Sequence, residues 1–313
     1  MSKRFKIFSA SSHESLANEI AEILNVPLGK RTLKEFSCGE KYINFDETVR
    51  GHDVFLVGTI RPKTVHSDFF ELFLMADAAR RSSSKSIHVI IPHFGYSRQD
   101  KIHSARESIS MKLCADLMVK SGAGHIVTLH LHAEQSQAFF DVPVDNLNPR
   151  KMFVKYFQEK NLKNPIVVSP DAGGAKSAKK FADALGAELA IMHKSRPAHN
   201  EAEITHLIGD IKGKTPILFD DMIDTAGSVC NAKKALLASG SKEEVYLCAT
   251  HPVFSGPAIK RLSEASFAEI VTTNSIPIPS GSLRNLQQLS VAPLFANVLA
   301  NILEEKSVSE LYF

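Results

Sequence analysis

Short, mostly apolar runs alternate along the chain with stretches whose apolar residues recur at helical spacing. The runs fall at residues 5–8, 54–57, 87–91, 166–168 and 216–219. Runs this short, bounded by turn residues, predict strands buried on both faces. Between them Leu16, Ile20, Ile23 and Leu24 mark one amphipathic helix. Phe69, Leu72, Phe73 and Met75 mark a second, and Val229, Ala232, Leu236 and Leu237 a third that stops at Gly240. Strand and helix in strict alternation predict an α/β fold with largely parallel sheets flanked by helices.

The pattern repeats. Arg50-Gly-His-Asp-Val-Phe-Leu-Val-Gly-Thr59 parallels Lys212-Gly-Lys-Thr-Pro-Ile-Leu-Phe-Asp-Asp221. Residues 84–93 parallel 241–251, and 124–128 parallel 268–272, in the same order. Two similar domains of the Rossmann-like kind are therefore expected. The turn-rich Asn148-Pro149 sets their boundary, giving domains over 1–148 and 149–290. A last apolar helix, within 291–313, is expected to pack back on the first domain.

Only the second copy carries acids at the end of its strand. Phe219 is followed by Asp220, Asp221 and, after Met222-Ile223, by Asp224-Thr-Ala-Gly-Ser228 and a helix. The reading is strand, loop, helix, with the loop at the carboxyl end of a parallel strand, where open sheets bind ligands. Thr225, Ala226, Gly227 and Ser228 are small enough to turn backbone N–H groups into one hollow. The helix start and two hydroxyls add to a socket for a phosphate monoester. Asp220 and Asp221 accept hydrogen bonds and suit a sugar diol or a water-held Mg²⁺. The plainer alternative is an acidic turn with Thr225 or Ser228 as the helix cap.

Other strand ends carry chemistry as well. Ser169-Pro-Asp-Ala-Gly-Gly174 is a second loop of this type: Gly173 and Gly174 admit a diphosphate and Asp171 can hold Mg²⁺. Met192-His-Lys-Ser-Arg-Pro197 ends a strand and leads into a polar segment, 198–203, that reads as a mobile flap. A solvated loop is the plainer reading of this stretch, with Lys194 and Arg196 among its cations. Arg98-Gln99 follows His93-Phe-Gly-Tyr96, and an Arg there suits a polyphosphate or a stacked base. His130 and His132 alternate and would share a face if the strand continued through them.

Composition narrows the class. The 313 residues are 44% hydrophobic and 23% charged, with a net charge of +3. That is globular and too weakly basic for a nucleic-acid surface. Cys38, Cys114, Cys230 and Cys248 share no metal-ligand spacing, a profile expected in the reducing cytoplasm. No secretory signal or membrane span is expected from the sequence.

The run Phe219-Asp-Asp-Met-Ile-Asp-Thr-Ala-Gly-Ser228 resembles the phosphoribosyl diphosphate (PRPP) signature of type I phosphoribosyltransferases. Its Met-Ile-Asp-Thr form, Pro92-His-Phe-Gly-Tyr-Ser-Arg-Gln-Asp100, Leu131-His-Ala-Glu-Gln135 and Ser169–Gly174 together resemble the ribose-phosphate diphosphokinases, or PRPP synthetases. The resemblance covers nearly the whole chain. It implies a type I phosphoribosyltransferase-like fold in each half and a transferase that makes PRPP and AMP from ATP and ribose 5-phosphate, with Mg²⁺, for nucleotide biosynthesis. It implies ATP contacts at Phe36, Cys38, Gly39, Glu40, Arg98, Gln99 and His132, with Phe36 and Glu40 reaching from a neighbouring subunit. It gives Asp171, Ala172, Gly173 and Gly174 to the diphosphate loop, and Mg²⁺ to His132 and Asp171. Arg196, Asp220, Asp221 and Asp224 to Ser228 take ribose 5-phosphate, and Lys194 and Arg196 are catalytic. It also implies a homo-oligomer, commonly a hexamer, with phosphate and ADP as effectors. The chain departs from the family at Cys38, Gly58 to Pro62, Ser67 and Lys101, and mildly at Ala226 and Ser228. The rival reading is a non-catalytic synthetase-like regulatory subunit.

Overall fold

A computed structural model describes residues 5–195 and 204–309. The chain runs β1 (Phe5–Ser9), α1 (Glu14–Ile23), β2 (Arg31–Glu35), β3 (Lys41–Phe45), β4 (Asp53–Val57), α2 (Val65–Arg81), β5 (Ser86–Ile91), α3 (Ser110–Ser121), β6 (His125–Leu129) and β7 (Val144–Leu147). It continues α4 (Arg150–Lys160), β8 (Pro165–Ser169), α5 (Ala175–Leu185), β9 (Glu188–Ser195), β10 (Ile204–Ile208) and β11 (Thr215–Ile223). The last elements are α6 (Gly227–Ala238), β12 (Tyr246–Pro252), α7 (Ala258–Ala265), β13 (Glu269–Thr273), β14 (Leu286–Leu289) and α8 (Ala292–Glu304). No helix among the described residues is long and apolar enough to cross a membrane.

Two compact units result, one of Met1–Asn148 with Ser275–Pro277 and Ser290–Phe313, the other of Pro149–Asn274 with Ile278–Leu289. The first holds a five-stranded sheet in the order β1-β4-β5-β6-β7, all parallel, and the separate β2–β3 hairpin. The second holds the order β10-β9-β8-β11-β12-β13-β14, parallel except where β10 pairs antiparallel with β9. Its stretch from β8 to β14 has the strand order of the first sheet.

The repeat in the sequence is also a repeat in register. Phe55 pairs with His88 where Ile217 pairs with Tyr246, and Val89 pairs with Ile126 where Leu247 pairs with Ile270. Each turn after the middle strand contains an aromatic residue in the left-handed region, Tyr96 at φ 62° and Phe254 at φ 45°.

Strand alternation sorts the cores. In the second unit Ile166, Val168, Leu218 and Leu247 face Val229, Leu236 and Leu262 of α6 and α7. Val167, Ile217, Phe219 and Cys248 face Phe153, Phe157 and Phe181 of α4 and α5 on the other side. In the first unit Val54, Leu56, Val89 and Ile126 pack under α2 and α3. There α8 packs on α1 as α4 packs on α5, burying Phe295, Val298 and Leu299 beside Leu16 and Ile20. Each buried apolar side chain of that size contributes about 1.5–3 kcal/mol.

A polar string crosses the first sheet at the amino ends of its strands. Ser86 Oγ donates to Asp53 (2.6 Å) and meets His88 Nε2 (2.9 Å). His88 Nδ1 meets His125 Nδ1 at 3.0 Å, and His125 Nε2 lies 3.0 Å from Asp145. Burial, then the charge of His125, pushes His88 down to about 4 from 6.5. Lys85 acts the same way, and Asp53 and Asp145 oppose it. The unfolded His88 takes a proton near pH 6.5 and the folded one only near pH 4. Stability is therefore expected to fall as pH drops through that window, by up to about 3 kcal/mol from this group. Urea midpoints of His88→Gln measured from pH 7 to pH 4 should show a flatter decline than the parent's; parallel declines would refute the assignment.

Candidate functional site

In the second unit the acids sit closer to the sheet than the sequence suggests. The expected strand over 216–219 extends to Ile223, because β11 stays paired with β12 as far as Pro252. Asp220 and Asp221 are thus strand residues, and the Asp221 N–H donates to Asp220 Oδ1 at 2.9 Å. Burial first, then the neighbouring Asp221 charge, holds the Asp220 carboxyl well above the ordinary carboxylate range, with Asp171 adding to it. So Asp171, Asp220 and Asp221 share one electrostatic neighbourhood at the carboxyl edge of adjacent strands β8 and β11.

Asp171 also organises its own loop. Its Oδ1 accepts the Gly174 N–H at 2.9 Å, and its carbonyl accepts Ser169 Oγ at 2.7 Å. A Cβ on Gly174 would lie 3.0 Å from Ser169 Oγ, so the turn is close to its steric limit. Asp171, Ala172 and Gly173 are exposed. Among the described residues no three His, Cys, Asp or Glu side chains form a cage for a metal. The donors present, mutually repelling hard oxygens, fit a Mg²⁺ that takes one or two carboxylates and completes its shell with phosphate and water.

The turn from Asp224 leads directly into α6. Thr225 and Ser228 are exposed, Asp224 and Gly227 half-buried, and Ala226 buried. Neither Thr225 nor Ser228 caps the helix. The N-cap is Ala226, at φ 61°, whose methyl cannot accept an N–H. The first N–H groups of α6 are left to solvent or to an anion. Lys194 is on β9, in register with Thr205 of β10. Arg196 and the expected flap over 198–203 lie outside the described residues.

The first unit carries the residues expected at the nucleotide. The β2–β3 turn is closed by Phe36 N–H to the Glu40 carbonyl and Gly39 N–H to the Phe36 carbonyl, both 2.8 Å, with Gly39 at φ 89°. Phe36 is 51% exposed and meets Tyr42 edge-on at 6.0 Å, leaving an aromatic face open. Cys38 is an exposed thiol. Lys41 pairs with the buried Glu71 at 2.9 Å, and Glu71 also accepts the Ser11 N–H and hydroxyl, which ties the hairpin to the β1–α1 turn. Arg98 and Gln99 are exposed after β5. Gln99 Oε1 accepts Ser110 Oγ at 2.6 Å, so part of this side chain organises the start of α3.

The histidine pair departs from expectation. β6 ends at Leu129, and His130 turns left-handed at φ 46° with its N–H on the Leu147 carbonyl at 2.8 Å. His130 is buried and His132 exposed, so the two do not share a strand face. Sequence reasoning also gave no role to Ser255 and Arg261. Ser255 Oγ donates to the Asp224 carboxylate, and Arg261 Nη1 donates to the Thr225 carbonyl at 3.1 Å. The only signal was that Ser255 lies in the Thr250–Pro257 run, which resembles a family segment.

Comparison with known proteins places this arrangement. The model described as the N-terminal domain of ribose phosphate pyrophosphokinase matches residues 5–122, and that of the phosphoribosyl synthetase-associated domain matches 197–313. A ribose-phosphate pyrophosphokinase of Oceanobacillus iheyensis is 48% identical over 98% of this chain and 96% of its own length. The chain belongs to the ribose-phosphate pyrophosphokinase family. The Bacillus subtilis ribose-phosphate pyrophosphokinase is 46% identical, covering 99% of this chain and 98% of that relative. The crystal structure of the phosphoribosylpyrophosphate synthetase of Mycobacterium smegmatis superposes with a TM-score of 0.91 at 40% identity, covering 97% of this chain and 100% of that one. The similarity to this family of enzymes extends through both units.

Ala226 is a departure with a measurable cost. An L-residue with a Cβ in the left-handed region costs about 1–2 kcal/mol, partly offset here by the buried methyl. Ala226→Gly is expected to raise the unfolding free energy by about 0.5–1 kcal/mol in urea titrations. An unchanged or lower midpoint would show that the turn carries no such strain.

Proposed function

We propose that this pyrophosphokinase transfers the β,γ-diphosphoryl group of ATP to the C1 hydroxyl of ribose 5-phosphate, giving PRPP and AMP for nucleotide biosynthesis. The observation that carries this reading is the acidic strand end Asp220-Asp221 running straight into the uncapped α6 turn. One edge then offers acceptors for a sugar diol and donors for a monoester phosphate. We assign the diol to Asp220 and Asp221 and the 5-phosphate to Asp224, Thr225, Ala226, Gly227 and Ser228, with Arg196 alongside. The diphosphate goes to the Asp171-Ala172-Gly173-Gly174 loop. ATP goes to Phe36, Cys38, Gly39, Glu40, Arg98, Gln99 and His132.

In the reaction the C1 oxygen attacks the β-phosphorus and loses its proton to solvent. The bond from that phosphorus to the α,β-bridging oxygen breaks, and its electron pair leaves with AMP. Such a transfer depends on in-line positioning and neutralised charge more than on covalent help. Asp220 and Asp221 orient the attacking sugar through its neighbouring hydroxyls, and the α6 turn fixes the far end by the phosphate. Lys194 and Arg196 meet the charge that develops on the transferred group. Asp171 and His132 are the residues that would hold Mg²⁺, which would supply charge neutralisation of the polyphosphate. The proposal includes a cytoplasmic homo-oligomer, a hexamer in the first instance, with phosphate and ADP as effectors.

AMP and PRPP formation from Mg²⁺, ATP and ribose 5-phosphate, with and without added phosphate, tests the reading. Turnover is expected in the parent and a fall of about 10²–10³-fold or more in Lys194→Ala. No turnover under any condition, from folded protein that still binds ATP, would instead establish the non-catalytic regulatory subunit.

A further inference from the structure

The α6 turn is braced by the β12–α7 segment, which lies outside the acidic run of residues 219–228. Phe254 N–H donates to the Ile223 carbonyl at 2.9 Å, Ser255 N–H to the Asp224 carbonyl at 3.0 Å, and Arg261 Nη1 to the Thr225 carbonyl at 3.1 Å. Consecutive carbonyls of the turn are thus all drawn toward the β12–α7 segment. No peptide bond among the described residues is cis. In a trans peptide the carbonyl and the N–H that follows it point in opposite directions. Holding those carbonyls on one side therefore turns the N–H groups of Asp224, Thr225 and Ala226 to the other. That is how a backbone nest for an anion is built.

Arg261 differs from the other two donors. Phe254 and Ser255 hold carbonyls of the turn through their backbone N–H groups, which any residue but proline could supply, and Ser255 Oγ also donates to the Asp224 carboxylate; Arg261 holds a carbonyl of the turn with its side chain. The peptide it holds joins Thr225 to the left-handed Ala226, the most strained link of the turn. The approach is tight, since a Cβ on Gly227 would lie 3.3 Å from Arg261 Nη1. Arg261 is itself tied to α6, because its carbonyl accepts Cys230 Sγ at 3.6 Å. Its guanidinium also brings positive charge to a turn flanked by Asp220, Asp221 and Asp224.

We infer that Arg261 is a positioning residue for the sugar-phosphate socket: by holding the Thr225 carbonyl it aims the Ala226 N–H at the 5-phosphate and sets the affinity for ribose 5-phosphate. The inference rests on the functional reading above. Arg261 touches no reacting atom, so it is selective for one substrate.

Steady-state kinetics of Arg261→Leu and Arg261→Lys, beside calorimetric titration of each protein with ribose 5-phosphate, provide the test. Arg261 is exposed, so both variants are expected to fold with unchanged melting temperatures. Arg261→Leu should raise KM and Kd for ribose 5-phosphate about tenfold, leaving KM for ATP and kcat at saturating sugar within about twofold. Arg261→Lys, which keeps a donor, should recover most of the loss. Equal sugar affinity in parent and Arg261→Leu would overturn the assignment and leave the pyrophosphokinase reading intact. So would a loss of melting temperature with both KM values raised together and no recovery in Arg261→Lys, the pattern of a merely structural residue. A parent that bound no ribose 5-phosphate would sink the functional reading and this inference with it.

Discussion

The parallel pairing of β11 with β12 extends past the hydrophobic core, and the candidate site depends on it. Below Phe219 the two strands hold apolar side chains on both faces; above it β11 carries the carboxyl groups of Asp220 and Asp221. The ladder continues to Ile223 and Pro252, so Asp220 and Asp221 are fixed by backbone hydrogen bonds that the core has already made favourable. Asp220 is half-buried beside the Asp221 carboxylate, and desolvation with that like charge pushes its carboxyl above the ordinary range. That arrangement is stable only because the sheet beneath it is rigid, and it disposes the edge toward a cation or a donor-rich ligand.

The first unit shows what the same topology becomes when its polar groups are consumed internally. Gly58 and Thr59 stand where the second unit has Asp220 and Asp221. The Thr59 hydroxyl donates to the Ser275 carbonyl at 2.7 Å, and its N–H donates to Ser12 Oγ at 2.9 Å. At the start of α2 the buried Asp68 accepts from the Arg61 N–H and guanidinium and from the Thr64 hydroxyl. A carboxylate of the protein itself thus serves the helix start, the place a phosphate is proposed to take in the second unit. The departures at Gly58 to Pro62 are coherent in these terms, as parts of a closed polar network.

Bracing follows the same duplication. Tyr96 and Phe254 both turn left-handed after their strands, yet the turns that follow differ. After Tyr96 the chain presents Arg98 and Gln99 outward, with Gln99 also engaging Ser110. After Phe254 the backbone turns back on the Ile223–Thr225 carbonyls. One backbone device serves display in one copy and support in the other.

The sequence by itself determined the alternation of strands and helices, the repeat, and the chemical character of each strand end. These are local properties: apolar periodicity reports which backbone can be buried, and clustered acids or glycines report what a turn can hold. The α/β architecture and the family could therefore be read before any coordinates. Short half-exposed strands such as β2, β7 and β14 lack that periodicity and escaped notice. Tertiary structure alone decided how far β11 extends, that His130 leaves the strand line of His132, and that Ala226 rather than a hydroxyl residue begins α6. It alone brought Arg261 to Thr225. Each of these turns on a partner distant in the chain, and a hydrogen bond between distant residues exists only once the sheet has set both ends in place.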